Sequence, residues 1–176
     1  MKACYPHASY SYERLNFWSF TVAVKEILLA RWLGARNLTF HFPVELAFVS
    51  CLNETVGGKY VRWVEWWAMK LGVQVVWENI VWLSEKDWSL KEKMMWDHIP
   101  FGVNLCMDTG HLMIGSVDPV AEIRSFIKKF GKRIKHLHIH ENDLKHDLHL
   151  PPGEVLKPMF IEEITRGRTW MYEPES

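Results

Sequence analysis

The sequence has little cysteine, no excess of charge of either sign and no long apolar run. Its three cysteines, Cys4, Cys51 and Cys106, lack the paired spacing of a disulfide framework or a zinc ribbon, so we expect a reducing compartment. Basic and acidic residues number 21 each, so no general positive field draws the chain to nucleic acid or to an anionic membrane. No stretch approaches the roughly 18 apolar residues of a membrane-spanning helix, and the N-terminus carries no apolar signal region. We therefore expect a soluble cytoplasmic protein with no membrane partner.

Glycine-rich phosphate loops, haem motifs and dinucleotide fingerprints are also missing, which argues against nucleotide-binding and haem enzymes. The composition that remains is globular: 176 residues, 48% of them hydrophobic and 24% charged, enough for one domain with a sizeable core. Ten tryptophans and nine histidines are high numbers for this length. Trp63, Trp66 and Trp67 are spaced so that they distribute around a helix, and we assign them to core packing.

Short apolar runs alternate with longer helical patterns along the chain, which predicts an α/β fold. The predicted strands are Ala3 to Ala8, Leu38 to Phe42, Val73 to Ile80, Val103 to Met107, Ile134 to His140 and Thr169 to Glu173. The predicted helices are Phe17 to Leu33, Val56 to Leu71, Ser84 to Asp97, Pro119 to Phe130 and Val155 to Thr165. Strands that begin roughly every 30 to 35 residues match the unit of a TIM-barrel-like parallel (β/α) barrel. We predict a single domain over residues 1–176 with about six βα units, two fewer than a closed barrel.

Every predicted strand ends in or near a carboxylate or an imidazole. These strand-end residues are His7, His41, Glu78, Asp108, His138 and Glu173. His111 follows the fourth strand, and Asp147 and His149 lie in the loop after the fifth. Parallel strands present their carboxyl ends at one face of a barrel, so these nine side chains should converge. Because burying unpaired carboxylates and imidazoles costs several kcal/mol each, a bound cation would offset that cost.

The donor set contains carboxylate oxygens and imidazole nitrogens and no thiolate, which suits Zn²⁺, Mn²⁺, Fe²⁺ or Co²⁺. A single histidine at a strand end is more often a surface or hydrogen-bonded residue than a metal ligand. The prediction of a metal site therefore depends on finding a carboxylate or an imidazole at the end of every predicted strand. One ion uses about four to six ligands. Either two or three ions therefore share the site, or some of the nine residues hold substrate.

Seven segments carry a more specific signal through their order and spacing along nearly the whole chain. They are His7-Ala8-Ser9-Tyr10, Phe40-His41-Phe42-Pro43, Trp77-Glu78-Asn79, Met107-Asp108-Thr109-Gly110-His111, His138-Ile139-His140-Glu141-Asn142, Asp147-Leu148-His149-Leu150-Pro151-Pro152-Gly153-Glu154 and Tyr172-Glu173-Pro174. Together they resemble the xylose isomerase-like TIM barrels. That superfamily contains sugar and sugar-phosphate isomerases and epimerases, and also the endonuclease IV type of abasic-site nuclease, AP endonuclease family 2.

The resemblance implies roles for individual residues. Glu78, Asp108, His138 and Glu173 match the four ligands that hold one divalent ion in the isomerases and epimerases. His111 resembles their substrate-contacting histidine.

The nuclease branch implies a larger metal cluster. Four further residues match ligands there and complete a three-zinc cluster in which Glu78 is a bridge: His7, His41, Asp147 and His149. All nine metal positions, His111 included, are thus filled. Tyr10 matches a DNA-contacting tyrosine, and Glu141 stands where the family commonly has aspartate; we count both as substrate-binding candidates.

The same comparison implies that two strands have no counterpart, because His7 matches the end of the third strand of the family barrel. The loops of the absent strands include part of what the nuclease uses to grip and bend DNA, and the zero net charge also weighs against duplex DNA. An open parallel sheet exposes unpaired strand edges and its apolar interior. We therefore expect a homo-oligomer that covers these edges, or a fragment of a longer natural product.

Three classes of function remain. The leading hypothesis is a metal-dependent isomerase or epimerase of a small sugar or sugar phosphate, with one to three ions of Zn, Mn, Co or Mg as cofactor. Glu78 and Glu173 would be its acid and base, and His111 would orient a substrate oxygen. The alternative is an endonuclease IV-like zinc phosphodiesterase acting on abasic-site DNA, which the full set of ligand positions supports. The third is a catalytically degenerate barrel that binds metal without turnover.

Overall fold

The computed structural model describes residues 17–42, 56–79 and 102–173. The predicted strand Ala3 to Ala8 and the predicted helix Ser84 to Asp97 lie outside these ranges. The chain divides into two compact units, the first formed by residues 1–77 with 90–103 and the second by residues 78–89 with 104–176.

The described part of the first unit contains two helices and two strands in alternation. In chain order they are α1 (Phe17–Leu33), β1 (Asn37–His41), α2 (Val56–Leu71) and β2 (Gln74–Glu78), whose last residue already belongs to the second unit. The bounds of both helices agree with those predicted from periodicity. The two helices pack on each other, and Ala23, Ile27, Tyr60 and Val64 are buried within this unit.

Trp77 is the largest fully buried side chain of the first unit. Its ring lies 5.3 Å from the ring of Phe42 and 6.3 Å from that of Tyr60. Its indole Nε1 donates a hydrogen bond of 2.7 Å to Oε1 of Glu65, so the polar atom of this buried ring has a partner. Burial raises the pKa of Glu65 and outweighs the lowering effect of the Trp77 hydrogen bond.

The second unit contains the remaining elements. They are β3 (Leu105–Asp108), α3 (Thr109–Met113), α4 (Pro119–Phe130), β4 (Ile134–Ile139), α5 (Pro158–Thr165) and β5 (Thr169–Tyr172). β4 pairs in parallel with β3 on one side and with β5 on the other. The register places Asp108 opposite His138 and Ile139 opposite Tyr172, so three strands end at the same edge.

Local sequence explains the helices of the second unit. The side chain of Asp108 accepts the backbone N–H of His111 and so starts the short helix α3, which the periodicity of the sequence did not reveal. Asp118 caps α4 in the same way, and Pro119 occupies its first turn. The last helix begins at Pro158, three residues later than predicted, because proline fits the first turn and not the interior.

No helix in the described ranges has the length and apolar character needed to cross a lipid bilayer.

Candidate metal centre

Four of the predicted ligands come together in the second unit, and we call them the carboxylate centre: Glu78, Asp108, His138 and Glu173. Each offers one ligand atom, and these atoms all lie within 4.8 Å of one another. The residues stand at the ends of β2 and β3, near the end of β4 and directly after β5. All four are buried. The parallel register is what brings side chains so far apart in sequence to one edge.

His138 lies at the middle of the carboxylate centre. Its Nδ1 is 3.1 Å from Oε2 of Glu173, 3.3 Å from Oε2 of Glu78 and 3.7 Å from Oδ2 of Asp108. Burial would lower the pKa of His138, but the neighbouring charge of Glu78 and a hydrogen bond to Glu173 raise it well above its ordinary value. A proton on His138 therefore balances part of the carboxylate charge when no cation is bound.

Asp108 is the best-held carboxylate of the centre. Its Oδ1 accepts the backbone N–H of His111 at 2.8 Å and a hydrogen bond from Nε2 of His140 at 2.8 Å. Burial would raise its pKa, yet the charges of His111 and His140 hold the pKa well below its ordinary value. Asp108 is therefore an anion at neutral pH, the state in which a carboxylate binds metal.

Two polar residues beside the ligands tie the strand ends together. Asn79 Oδ1 accepts the backbone N–H of Asp108 at 2.8 Å, and its Nδ2 donates to the carbonyl of Asp108 at 3.1 Å. Thr109 Oγ1 lies 2.9 Å from the carbonyl of His140 and 3.2 Å from that of His138. These contacts join segments that are far apart in sequence. The sequence motifs therefore include Asn79 and Thr109, but they do not reveal that these two residues connect the strand ends.

A second group of ligand atoms forms what we call the histidine centre: His111, His140, Asp147 and His149. One ligand atom from each lies within 4.8 Å of the others. Oδ2 of Asp147 is 3.4 Å from Nε2 of His111 and 3.3 Å from Nε2 of His149. Three of these residues are predicted metal ligands, whereas His140 is an addition that sequence reasoning missed. The available signal was its place in His136-Leu137-His138-Ile139-His140, where alternate residues of a strand share a face.

His111 belongs to the histidine centre and also faces the carboxylate centre. Its Nδ1 donates a 2.7 Å hydrogen bond to the carbonyl of Asn79, which turns Nε2 toward Asp147. Burial would lower the pKa of His111, but the charge of Asp108 and the contacts with Asp147 raise it to about 10. The hydrogen bond from Nδ1 to a carbonyl fixes the ring in the tautomer that offers Nε2 to a cation.

The loop that carries Asp147 and His149 is held by side-chain hydrogen bonds. Asn142 Oδ1 accepts the backbone N–H of Leu148 at 2.7 Å and of His149 at 3.1 Å, and Asn142 Nδ2 donates to Asp147 Oδ1 at 3.3 Å. His149 has a φ of 50°, a left-handed conformation that costs energy in a residue other than glycine. Asn142 therefore holds the strained His149 in position.

Glu141, a predicted substrate-binding residue, is buried beside this loop. Its Oε1 accepts the backbone N–H groups of Gly153 at 2.8 Å, of Val155 at 3.0 Å and of Leu156. A substrate contact by Glu141 remains a prediction, and the contacts in the structure are those of a residue that closes a loop.

The remaining predicted site residues are His41, His7 and Tyr10. His41 ends β1 in the first unit and is half-buried. His7 and Tyr10 lie outside the described residues. Cys106 on β3 is a buried thiol whose sulfur lies within 4.8 Å of ligand atoms of Glu78 and His138, although no thiol was expected near the site. Burial raises the pKa of Cys106 to about 12, so the protonated thiol dominates at neutral pH.

Comparison with solved structures identifies the architecture around these centres. The TTHB071 protein from Thermus thermophilus, from a crystal soaked with ZnCl₂, matches 94% of this chain and 67% of its own, at 19% identity and a TM-score of 0.63. A D-tagatose 3-epimerase-like protein matches 97% of this chain and 69% of its own, at 19% identity and a TM-score of 0.61.

The chain has a TIM-barrel-like α/β fold. A third structure, a xylose isomerase domain protein from Planctomyces limnophilus, covers 89% of the chain and 58% of its own, at 15% identity and a TM-score of 0.53. The chain thus spans about two-thirds of the length of these barrels. No protein-family model matches it, and no curated protein matches it in sequence. The α/β fold and the structural resemblance predicted from the motifs are confirmed.

The residues at the carboxyl ends of these strands fit a divalent cation. The carboxylate centre supplies three carboxylates and one imidazole, a donor set suited to Mn²⁺, Co²⁺ or Zn²⁺. Nδ1 of His140 is buried and has no hydrogen-bond partner among the described residues. Buried polar atoms without partners are costly, and coordination to an ion would satisfy them.

Proposed function

We propose that the chain is a divalent-metal-dependent isomerase or epimerase that acts on a small sugar or sugar phosphate. The observation that carries this proposal is the carboxylate centre, in which buried Glu78, Asp108, His138 and Glu173 direct ligand atoms at one point. The D-tagatose 3-epimerase-like and xylose isomerase domain neighbours support a sugar as the substrate class. A cation bound there would act as a Lewis acid on neighbouring carbonyl and hydroxyl oxygens of the sugar.

In this proposal Glu78 and Glu173 move the proton. Their Oε2 atoms lie 3.3 Å and 3.1 Å from Nδ1 of His138, so the two carboxylates approach the same point from different strands. One carboxylate takes the proton from the carbon next to the substrate carbonyl. The other then either gives a proton to the former carbonyl carbon, while the hydroxyl proton of the first carbon passes to the former carbonyl oxygen, or returns a proton to the opposite side of the same carbon. The first outcome is isomerisation and the second is epimerisation.

His111 orients the substrate in this proposal. Its Nδ1–H is committed to the carbonyl of Asn79, so its Nε2 points away from the strand ends toward Asp147. A protonated Nε2 donates a hydrogen bond to a substrate oxygen, and the raised pKa of about 10 keeps that proton present at neutral pH. Cation binding at the histidine centre would compete with this role, so the two uses of His111 exclude each other.

The test is proton exchange between a sugar and solvent. The metal-loaded protein is incubated in D₂O with a panel of ketoses and ketose phosphates, and deuterium at the carbons next to the carbonyl is followed by NMR. We expect deuterium uptake in at least one sugar, and we expect it to be lost in Glu173→Gln. The matched control is Glu163→Gln, a residue of α5 whose exposed carboxylate pairs with Arg124 away from the centre.

Two results would contradict the isomerase proposal. One is the absence of exchange across the whole panel in protein shown to hold metal. The other is a Glu78→Gln variant that loses its metal and yet changes no measurable turnover, which would favour a barrel that binds metal without catalysis.

One observation favours the phosphodiesterase as a second candidate. The histidine centre adds four ligand atoms close to the carboxylate centre, within the same unit, and more than one ion is what metal-assisted hydrolysis of a phosphodiester uses. Zinc-loaded protein should then cut a duplex at an abasic site and leave an intact duplex of the same sequence uncut. No incision at the abasic site would remove this candidate.

A further inference from the structure

His140 stands between the two centres. It follows β4, and its side chain is about 1% exposed. Its Nε2 lies 2.8 Å from Oδ1 and 3.0 Å from Oδ2 of Asp108, a ligand of the carboxylate centre. Because an anionic carboxylate only accepts hydrogen bonds, Nε2 must carry the proton in this contact. The tautomer of a neutral His140 is thereby fixed, with a lone pair on Nδ1.

The other ring nitrogen faces a different environment. Nδ1 of His140 is buried and has no hydrogen-bond partner in the described ranges. The ring lies 4.4 Å from the ring of His149 and 5.8 Å from that of His111, measured between centroids. One ring nitrogen of His140 lies within 4.8 Å of ligand atoms of His111, Asp147 and His149. Because Nε2 is held by Asp108, Nδ1 is the nitrogen whose lone pair remains to bind a cation.

The imidazole of His140 lies directly against Gly110. A Cβ on Gly110 would lie 2.0 Å from Cε1 and 2.3 Å from Nδ1 of His140, far inside any contact distance. Glycine at this position lets the imidazole lie against the backbone between the two centres. The ring position is thus set by both Gly110 and Asp108.

We propose that His140 couples two metal sites, binding the cation of the histidine centre through Nδ1 while its Nε2–H holds Asp108 of the carboxylate centre. Histidines that bind metal commonly donate their other N–H to a carboxylate, which orients the ring. Here that carboxylate is itself a ligand of the neighbouring site. Occupancy of one centre therefore orients a ligand of the other. The inference rests on the proposed metal binding and not on the substrate or the reaction.

The experiment compares zinc binding in three variants with that of the wild type. Metal analysis after dialysis gives the number of ions bound, and competition with a chromophoric chelator gives their affinities. His149→Asn removes a ligand of the histidine centre but leaves the contact between His140 and Asp108 intact. His140→Asn removes both the ligand and that contact. The control is His146→Asn, in the same loop, whose exposed ring pairs only with Asp143 in the described contacts.

We expect His149→Asn and His140→Asn each to bind one zinc ion fewer than the wild type. In His149→Asn the ion of the carboxylate centre should keep its affinity. In His140→Asn that same ion should bind about 10- to 100-fold more weakly, the usual effect of losing a group that orients a ligand. His146→Asn should match the wild type. Unchanged stoichiometry in His140→Asn would overturn the assignment of the ligand, and an unchanged carboxylate-centre affinity would overturn the coupling.

A measurement on the unaltered protein covers the case in which His140→Asn does not fold. In ¹¹³Cd-loaded protein with ¹⁵N-labelled histidine, cadmium in the histidine centre should show coupling to one Nδ1 nitrogen whose ring keeps a proton on Nε2. Coupling of that cadmium to Nε2 nitrogens alone would contradict the proposal. Neither experiment depends on turnover, so a negative exchange test with sugars would leave this inference standing.

Discussion

At the scale of single residues, the carboxylate centre is held by charges of opposite sign. Three carboxylates within 4.8 Å of one another would repel strongly in a buried site, and protonated imidazoles reduce that repulsion. The pKa values of His138 and His140 are raised, mainly by Glu78 and Asp108 against the opposing effect of burial. The metal-free site therefore holds protons where the loaded site would hold a cation.

Proton release on metal binding follows from these charges. Burial would lower the pKa of His111, yet Asp108 raises it to about 10, and the pKa of His138 is also raised, so both rings are protonated at neutral pH without metal. An imidazole must lose a proton before it binds a cation, so zinc affinity should increase as the pH rises from about 6 to about 8. Calorimetry in buffers of different ionisation enthalpy should show at least one proton released per ion. An affinity independent of pH would contradict this.

The pKa of His136 is shifted in the opposite direction from the pKa values of His111 and His138, and this shift makes stability depend on pH. Burial, helped by the charge of His138, lowers the pKa of His136 to about 4, below the ordinary value near 6.5. The folded protein then binds fewer protons here than the unfolded chain, so stability is complete above about pH 6.5 and falls as the pH drops toward 4. In urea unfolding, His136→Gln should lose less stability over this range than the wild type. Parallel curves for the two proteins would show that His136 does not titrate as described.

The grouping of the predicted ligand residues could be foreseen from the sequence at this scale, and the residues that support them could not. Glu78, Asp108 and His138 each follow or end an apolar run, and parallel strands bring such positions together whatever the details of packing. The roles of Asn79 and His140 depend on contacts with Asp108 across about 30 residues of sequence. Spacing along one segment contains no information about such contacts.

At the scale of elements, the loop after β4 carries half of the histidine centre and is closed by Glu141. Replacement of Glu141 by Ala leaves the backbone N–H groups of Gly153, Val155 and Leu156 without their acceptor. Hydrogen bonds to a charged group contribute about 1.5–3 kcal/mol each, and part of this is recovered by water, so we expect a loss of about 2–4 kcal/mol in the free energy of unfolding. Zinc binding at the histidine centre should weaken as well.

The control for this loop is Glu141→Gln, because glutamine keeps an acceptor oxygen at the same reach. It should recover most of the stability lost in Glu141→Ala, as measured by denaturant unfolding. If Gln and Ala destabilise the protein equally, the three backbone hydrogen bonds are not what closes the loop.

Helices were predicted well where their ends carry local signals. α4 begins at Asp118 and Pro119, a cap followed by a first-turn proline, and its bounds agree with the prediction. The tryptophans of α2 were assigned to the core, and this was wrong for two of them: Trp63 and Trp66 are partly exposed and stack on each other. The spacing of tryptophans around a helix does not show which side of the helix packs against the core.

At the scale of the whole molecule, the exposed aromatic residues bear on self-association, which remains a prediction. The helix α1 carries large apolar residues on its exposed side as well as in the core, and Trp18 and Trp32 on it are 68% and 81% exposed. Large exposed apolar side chains on one helix are typical of surfaces that another chain covers. We expect a dimer or larger oligomer in sedimentation velocity at micromolar concentration, shifted toward monomer in Trp32→Lys. A monomer at these concentrations would contradict the prediction.

The fold was predictable from the alternation of strand and helix patterns and from the order of the motifs. The sequence reduced the function to a few candidate classes and did not select one reaction. Carboxylates and imidazoles at successive strand ends indicate a TIM-barrel-like architecture, which the chain shares with the solved structures at 15–19% identity. Identity that low carries the fold and not the reaction. The substrate depends on side chains that face the bound molecule, and those are the part of a barrel that varies most.

Diffraction from a crystal soaked in a manganese salt, with data collected at the manganese absorption edge, tests the central claim most directly. We expect an anomalous peak in contact with Glu78, Asp108, His138 and Glu173 together, at distances typical of oxygen and nitrogen ligands. A well-ordered crystal in which these four side chains diverge and no peak lies among them would contradict the account.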